Sequence, residues 1–357
     1  MKARTLGRTG LEVGVIGLGT EYLNGTPLPN YTAVMDRAVD AGVNYIDIVY
    51  SFPEYLDNLG AALKGKRGKV LITGHLGSAE TDGQYRRSRD VTECEGLFHD
   101  LLARVRTDHV DIAFLSNCDQ EDDYRRMTRP GGLLELALRF QREGKVRFIA
   151  FSGHQPRVSL KAVQSGRIDV LMHSISIQGA ATRGRKDLFL ECAAQDVGLV
   201  GMKPFAGGSL LGQRGKKALT PVQCLNYALS QPGVATVVPG VSNPEELRQA
   251  LAYLEATDEE KDFSAVLPEF QEVEEGTCVY CNHCLPCPVG INIGETIRAL
   301  VTAERGGLEA ARAVYGHLPV KASACIECEE CVERCPFSVN ILPLVHQARG
   351  IFEAMGQ

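Results

Sequence analysis

A regular alternation of short apolar runs with amphipathic segments most constrains how this chain can fold. Eight runs, rich in β-branched residues and apolar on both faces, recur through residues 1–256: Val13–Thr20, Tyr45–Tyr50, Val70–His75, Val110–Asn117, Arg147–His154, Val170–Ile177, Gly198–Phe205 and Thr236–Val241. Such runs are typical of parallel strands that are covered on both faces of a sheet. The pattern therefore predicts eight buried strands.

A segment with helical spacing follows each run. The predicted helices are Tyr31–Gly42, Tyr55–Lys64, Thr92–Arg106, Leu133–Arg142, Val158–Gln164, Leu188–Gln195, Pro221–Leu229 and Pro244–Ala256. Asn30 is the expected N-cap of the first helix, because its side chain can accept a hydrogen bond from the first turn. Eight strands alternating with eight helices in ~250 residues predict an α/β fold, a (β/α)8 TIM barrel. A doubly wound open sheet is the alternative.

The composition excludes several classes of partner. The chain is 44% hydrophobic and 23% charged, with a net charge of −6, so we expect neither nucleic acid nor a membrane surface as a partner. The first residues, MKARTLGRTG, lack the apolar core of a signal peptide. We therefore expect a cytoplasmic protein, in which the 12 cysteines are thiols or metal ligands rather than disulfides.

Eight of the cysteines form two runs near the C-terminus, each followed by a proline. The second run has the bacterial ferredoxin spacing, C-x2-C-x2-C-x3-C-P, in which the fourth cysteine binds the other cluster. We therefore predict two [4Fe–4S] clusters, one on Cys278, Cys281, Cys284 and Cys335, and the other on Cys325, Cys328, Cys331 and Cys287. Two zinc sites are the alternative, because zinc also takes four thiolates and often binds two CxxC pairs.

These patterns divide the chain into three segments. Residues 1–256 are the predicted barrel, residues 257–277 an acidic connector, and residues 278–357 an α-helical, ferredoxin-like domain with a helix at Glu295–Tyr315. An extended chain spans ~3.3–3.6 Å per residue, so the connector is long enough to reach the carboxyl ends of the barrel strands. We expect one cluster to lie beside the loops at that end.

Several stretches resemble the aldo/keto reductase family in their order and spacing: LGRTGLEVGVIGLGT, AGVNYID, KVRFIAFSGH and ALSQPGVATVVPGVSNPEEL. With the cysteine runs, the chain resembles the branch of that family that carries a C-terminal di-cluster ferredoxin domain. The resemblance implies a barrel that binds NAD(P)H and transfers hydride to a carbonyl. In that family a tyrosine donates the proton, and an aspartate, a lysine and a histidine tune and orient it.

The proton-donating group of the family is mostly absent from this chain. Asp47 matches the aspartate, but the tyrosine position holds Phe52, the lysine position Gly74 and the histidine position Ser116. Tyr55 and His75 lie close to the vacated positions, so the catalytic candidates are Asp47, Tyr55 and His75. The alternative is that Tyr55 only begins a helix and that His75 is a loop residue.

The nucleotide site of the family is better preserved. Ser152 matches a residue that holds the nicotinamide amide, and Lys203 and Gly207 lie in the loop that follows the pyrophosphate. Ser242 lies in the stretch that holds the adenosine phosphate, although an asparagine of that stretch is Ala250 here. The resemblance thus implies NAD(P)H as a cofactor. The alternative is that the glycines only form turns at this end of the barrel.

Together these features predict an iron–sulfur oxidoreductase. Electrons would pass between two [4Fe–4S] clusters and a small-molecule ligand at the barrel mouth, without the usual aldo/keto reductase proton relay. The alternative is a non-catalytic electron-transfer or redox-sensing protein. In that case the barrel is a scaffold that docks an electron donor or acceptor protein.

Overall fold

All eight predicted runs contribute strands to one sheet of the computed structural model, which describes residues 1–211, 219–270, 276–304 and 307–353. The strands are parallel and follow chain order: Leu18–Gly19, Tyr45–Asp47, Leu71–Leu76, Val110–Leu115, Val146–Gly153, Val170–Ser174, Gly198–Met202 and Val234–Val238. Bridges join Ile16 to Val237 and Gly19 to Gly240, so the first strand meets the last and the sheet closes. The eight-stranded α/β barrel is confirmed, and the open-sheet alternative is wrong.

The first predicted run is divided between the barrel and a hairpin. Only Leu18–Gly19 forms a barrel strand, whereas Glu12–Gly14 pairs antiparallel with Ala3–Thr5. Three apolar residues of this amino-terminal segment pack among the inward-facing residues of the barrel: Leu6, Leu11 and Val13. The hairpin therefore closes the amino-terminal end of the barrel, where apolar side chains would otherwise meet water.

Eight helices cover the outside of the sheet: Leu28–Asp40, Pro53–Ala62, Val91–Val105, Leu133–Arg142, Pro156–Gln164, Arg185–Ala194, Pro221–Leu229 and Pro244–Leu251. The first begins at Leu28 with Pro27 as its N-cap, so the expected capping role of Asn30 is wrong. Asn30 instead donates to the Ser242 carbonyl at 2.7 Å. A further helix, Glu121–Thr128, has no apolar stripe, and the sequence pattern did not indicate it.

A second hairpin follows the third barrel strand. Ser78–Thr81 pairs antiparallel with Gln84–Arg87. The turn residues Asp82 and Gly83 have φ values of 51° and 75°, as tight hairpin turns require. The segment is mostly polar, so its sequence gives no strand signal, yet it contacts the cysteine-rich region.

The chain after the barrel forms a helical region with its own apolar cluster. Its helices are Ile293–Glu304, Leu308–His317, Glu330–Glu333 and Ile341–Glu353. The single predicted helix Glu295–Tyr315 is therefore wrong, since Gly307 caps the start of a second helix, and residues 305 and 306 fall outside the described residues. The buried members of the cluster include Leu285, Ile291, Ile297, Leu300, Val339, Ile341 and Val345.

Much of the predicted connector packs on the barrel. Asp258–Lys261 is a short helix capped by Thr257, and the Lys261 carbonyl accepts a hydrogen bond from Asn226 at 3.0 Å. Val266 is buried in the outer core of the barrel. Residues 271–275 of the connector lie outside the described residues. Among the helices that the structure describes, none has the length and apolar character to cross a membrane.

Candidate active site at the barrel mouth

Three polar side chains meet at the carboxyl ends of the second, third and fourth barrel strands. His75 Nε2 lies 3.0 Å from Asp47 Oδ1, and His75 Nδ1 lies 3.1 Å from Ser116 Oγ. An ionised carboxylate only accepts hydrogen bonds, so Asp47 favours a proton on Nε2 and leaves Nδ1 to accept from the Ser116 hydroxyl. The three residues form a connected relay, at the end of the barrel where reactive groups gather in this fold.

Strand pleating explains why His75 faces the mouth and residue 74 does not. Successive side chains of a strand point to opposite faces. A Cβ on Gly74 would lie 3.5 Å from side-chain atoms of Leu101 and Val110, in the layer between strand and helix. His75 faces inward and stacks on Phe114, with ring centroids 4.8 Å apart. The interpretation of His75 as a loop residue is therefore wrong.

The tyrosine candidate points away from the mouth. The Tyr55 hydroxyl makes a hydrogen bond with Thr20 Oγ1, the side chain is 1% exposed, and it does not line the mouth cavity. Burial raises the pKa of Tyr55 well above its ordinary value. Tyr50 lines the cavity instead, packing edge-on against Phe52 at a centroid distance of 5.0 Å and at a tilt against Tyr85 at 5.8 Å. Burial raises the pKa of Tyr50 as well, so its hydroxyl stays protonated.

A cavity of about 570 Å³ extends from this relay across the mouth of the barrel. Such a volume is typical of pockets for small molecules and cofactors. All four residues that the sequence assigned to nucleotide binding line it: Ser152, Lys203, Gly207 and Ser242.

Two of these four residues are already engaged by Tyr280 of the cysteine-rich region. Lys203 Nζ donates to the Tyr280 carbonyl at 2.9 Å. A Cβ on Gly207 would lie 2.6 Å from the Tyr280 ring, and Gly207 has a φ of 67°. Glycine at this position therefore lets the ring approach the backbone, and the loop after the seventh strand is shaped by the cysteine-rich region.

The other two residues are held by neighbours within the barrel. Ser152 Oγ accepts a hydrogen bond from the backbone N–H of Asn117 at 3.0 Å. The backbone N–H of Ser242 donates to Glu246 Oε2 at 2.7 Å. The Ser152 contact ties the end of the fifth strand to Asn117, the residue after Ser116, and the Ser242 contact holds the carboxylate of Glu246, which also lines the cavity.

The first cysteine run lies directly on the barrel mouth. Asn117 Nδ2 donates to the Cys281 carbonyl at 3.1 Å and to the Tyr85 hydroxyl at 3.0 Å. Cys281 and Arg298 line the same cavity as His75. The cysteine-rich region therefore forms part of the wall of the candidate site.

Two further contacts fasten this region to the barrel. The Gln84 side chain binds both backbone groups of Cys287, donating to its carbonyl and accepting from its N–H, each at 3.2 Å. Gln155 Nε2 donates to the Pro336 carbonyl at 2.9 Å. A barrel side chain therefore makes a hydrogen bond within the first cysteine run, and another makes one to the proline that follows the second run.

A buried carboxylate joins the barrel to the first cysteine run. Asp119 Oδ2 lies 2.8 Å from His154 Nδ1 and 3.5 Å from His283 Nε2. Burial opposes the charge of Asp119, but the His154 imidazole holds the pKa of this carboxyl below its usual range. Burial lowers the pKa of His283 to about 3, so its ring is neutral at neutral pH.

Several of the eight clustered cysteines lie close to one another. A small cavity is lined by Cys287, Cys325, Cys328 and Cys331. Burial raises the pKa of Cys278 to about 11, and the nearby Cys335 adds to this shift. Burial also raises the pKa of Cys284, with Cys281, Cys278 and Cys331 adding to it. Within the described ranges, no three His, Cys, Asp or Glu side chains form a group that could hold a metal ion.

The fold and the site define a (β/α)8-barrel protein whose ligand cavity opens at the carboxyl ends of its strands. The model of the aldo/keto reductase family matches residues 11–221, which is more than half of the sequence. The chain therefore belongs to the aldo/keto reductase family and is an oxidoreductase of that family. Aldo/keto reductases bind NAD(P)H.

Curated relatives and a solved structure are similar to this chain in sequence and in fold, respectively. The chain is 25% identical over 283 residues to an uncharacterized oxidoreductase, YqkF, of Bacillus subtilis, covering 70% of this chain and 90% of the relative. It is 24% identical over 290 residues to L-galactose dehydrogenase of Arabidopsis thaliana, covering 71% and 88%. The holo form of an aldo-keto reductase from Bacillus halodurans superimposes with a TM-score of 0.64 at 22% identity, covering 77% of this chain and 98% of that structure.

Several residues of the site carried no sequence signal. Gln84 and Arg298 are ordinary polar residues in the sequence, and they enter the site through contacts between distant segments. Glu246 occupies the third position of a helix, where glutamate is common for capping reasons alone. Period and spacing could not distinguish these residues from other surface positions.

Proposed function

We propose that this oxidoreductase passes electrons between two [4Fe–4S] clusters, held in residues 278–357, and a ligand bound at the barrel mouth. The position of Cys281 carries the proposal. Its carbonyl accepts a hydrogen bond from Asn117, and it lines the same cavity as Asp47 and His75. A group bound to the first cysteine run would lie against the ligand cavity, where electron transfer over a short distance is favourable.

The proposed donors for two cubane clusters are the eight clustered cysteines. The four cysteines proposed for the second cluster surround one small cavity, and the four proposed for the first are electrostatic neighbours. In a cubane each thiolate binds a different iron, so the sulfurs surround a larger group than a single ion. That requirement favours clusters over zinc. The pKa of Cys278 is raised to about 11 and that of Cys281 to about 12, so these thiols are protonated and cluster assembly should release protons.

We propose NAD(P)H as the nucleotide at the mouth. The four candidate residues, Ser152, Lys203, Gly207 and Ser242, line one cavity of about 570 Å³ together with the relay. When bound, the nicotinamide would supply two electrons, and the two clusters together would exchange the same number, one electron each. The contribution of the chain is to hold the nucleotide beside the first cysteine run and to manage the proton.

The relay of Asp47, His75 and Ser116 is the proposed proton carrier. Phe52 has no proton to donate, and Tyr55 is buried against Thr20, so no tyrosine occupies the family position. His75 Nδ1 can take up or return a proton through Ser116 Oγ, while Asp47 holds the ring in place. Of these three residues, only Asp47 matches a member of the family group.

Anaerobic purification and titration test the proposal. We expect about eight iron and eight sulfide per chain, the content of two cubane clusters. NADH or NADPH should bleach the cluster absorbance. Cys331→Ser should lose about half of the iron, and the nucleotide should still bleach the remaining cluster. Cys281→Ser should lose the cluster at the mouth, and the nucleotide should no longer reduce the other one.

Zinc without sulfide would contradict the cluster assignment. Bleaching by nucleotide in Cys281→Ser that matches the unmodified protein would contradict the proposed route through the first cysteine run. Both measurements use the full chain, so neither depends on a separately folding fragment.

A second function is favoured by the surface of the second cysteine run. Cys328 is exposed, and Ile326 beside it is 61% exposed, among the acidic residues Glu327 and Glu329. An exposed run of this kind suits electron exchange with a donor or acceptor protein. Under this alternative the barrel is a non-catalytic scaffold. It predicts that nucleotides leave the cluster absorbance unchanged, whereas a reduced electron-carrier protein bleaches it.

A further inference from the structure

A carboxylate occupies the part of the mouth cavity at the start of helix Pro244–Leu251. Glu246 lines the cavity, and its Oε2 accepts the N–H of Ser242 at 2.7 Å. Asn243 Oδ1 accepts the N–H groups of Glu245 and Glu246, each at 3.0 Å. Helix N-terminal N–H groups often bind phosphate, but here side chains of the chain itself take them.

The cation at this end of the cavity is also paired. Arg298 lines the cavity, but its Nε lies 2.9 Å from Glu295 Oε2, and its guanidinium packs 5.8 Å from the centre of the Tyr22 ring. Arg248, one turn along the same helix, pairs with Glu245 rather than with Glu246. Among the described residues, the carboxylate of Glu246 therefore faces this part of the cavity, whereas both nearby arginines are paired with other carboxylates.

We infer that this site selects NADH over NADPH and that Glu246 sets the preference. The inference rests on the proposed nucleotide function. The two nucleotides differ only at one ribose position, which carries a 2′-hydroxyl in NADH and a 2′-phosphate in NADPH. The relay occupies the reactive part of the cavity, so the adenosine half must extend toward Glu246. A carboxylate accepts a hydrogen bond from a ribose hydroxyl and repels a phosphate.

Glu246 also caps its helix through the Ser242 N–H, so the test must separate charge from capping. Glu246→Gln keeps an oxygen that can accept this hydrogen bond and removes the negative charge. Glu245→Gln is the matched control. It makes the same charge change in the same helical turn, but Glu245 binds Arg248 and does not line the cavity.

The experiment measures the dissociation constants of NAD⁺ and NADP⁺ by titration calorimetry, at low ionic strength, on the cluster-loaded full chain. The oxidised nucleotides differ at the same 2′ position and cannot reduce the clusters. We expect NAD⁺ to bind at least about tenfold more tightly than NADP⁺, because the Glu246 carboxylate would repel the 2′-phosphate of NADP⁺. Glu246→Gln should reduce the preference for NAD⁺ by about tenfold, chiefly because NADP⁺ binds more tightly. Glu245→Gln should leave this preference unchanged.

Each outcome decides a different point. Equal binding of both nucleotides, or a preference that persists in Glu246→Gln, would overturn the role of Glu246 while leaving the proposed function in place. Binding of neither nucleotide would overturn the nucleotide part of the proposed function and this inference with it. Unfolding temperatures of both variants, measured alongside, separate a lost helix cap from a changed preference.

Discussion

The barrel and the cysteine-rich region are stabilised in different ways. In the barrel, apolar side chains fill the interior and also pack between strands and helices, and a hairpin closes one end. In residues 278–357 the thiols are part of the core itself, since Cys287 and Cys331 are buried within the apolar cluster. The apolar core of a region of this size supplies little stability, and a metal often adds to it. The comparison suggests a barrel that folds without clusters and a cysteine-rich region that needs them.

The contacts between the two regions support this difference. Four barrel side chains donate to backbone carbonyls of the cysteine-rich region: Gln84, Asn117, Gln155 and Lys203. Such contacts recognise the path of a loop rather than the identity of its side chains. If the clusters bind the cysteines of these loops, the backbone path of the loops depends on the clusters. Docking at the barrel mouth should therefore depend on cluster assembly.

The largest expected effect follows removal of the iron. Oxidative chelation should leave helices Ile293–Glu304 and Ile341–Glu353 unprotected against hydrogen exchange, because cluster binding supplies much of their folding free energy. The barrel helices should keep their protection. Hydrogen–deuterium exchange of the cluster-loaded and cluster-free protein measures the protection of the C-terminal helices and of the barrel helices in one experiment. Persistent protection of the two C-terminal helices after iron loss would show that this region folds by apolar burial, as the barrel does.

Removal of the relay should slow the reaction without unfolding the barrel. We expect His75→Gln to reduce the rate of nucleotide-dependent cluster reduction by about 10²–10⁴-fold, the usual contribution of a positioned acid or base. Stopped-flow absorbance gives the rate. The exposed His99 provides a control, and His99→Gln should have no effect. An unchanged rate in His75→Gln would assign the ring a structural role only.

The stability of the barrel should depend on pH through a histidine that is fully buried. Burial lowers the pKa of His173 to about 3, and the charge of Arg185 adds to this shift. An unfolded histidine binds a proton near pH ~6.5. Between these values the unfolded chain holds a proton that the folded chain does not, so the free energy of unfolding falls as the solution becomes more acidic. The expected slope is about 1.4 kcal/mol per pH unit.

Urea unfolding of the barrel at several pH values between 7 and 5 measures this slope, with circular dichroism as the signal. His173→Gln should flatten it, and His99→Gln should leave it as in the unmodified chain. Equal slopes in all three proteins would mean that the titration of His173 is not coupled to barrel folding.

The smallest expected effect concerns one anchor of the docked region. Gln84→Ala removes two hydrogen bonds to the Cys287 backbone, which should destabilise the docked state by about 1–3 kcal/mol. Faster hydrogen exchange near Cys287, with iron content unchanged, would show this. Gln141→Ala is the control, because Gln141 donates to the Arg147 carbonyl on the barrel itself. Loss of iron in Gln84→Ala would show instead that this anchor supports cluster binding directly.

The sequence by itself determined the parts of this protein that depend on local order. Periodicity identified the eight barrel strands, because a strand that is buried on both faces must be apolar along its length. The ferredoxin spacing grouped Cys287 with Cys325, Cys328 and Cys331, and these four residues line one small cavity, although their role as cluster ligands stays a prediction. The clusters themselves stay a prediction.

The tertiary structure alone decided which side chains share the site. The pleat and register of the third barrel strand point His75 toward the mouth and position 74 away from it. A shift of the strand register by one residue would exchange these two orientations. Packing sends Tyr55 into the core, although it lies three residues after the expected tyrosine position. Asn117 and Cys281 are 164 positions apart and meet only because the cysteine-rich region docks on the barrel mouth. Contacts of this kind depend on how whole elements pack, and no local pattern in the chain encodes them.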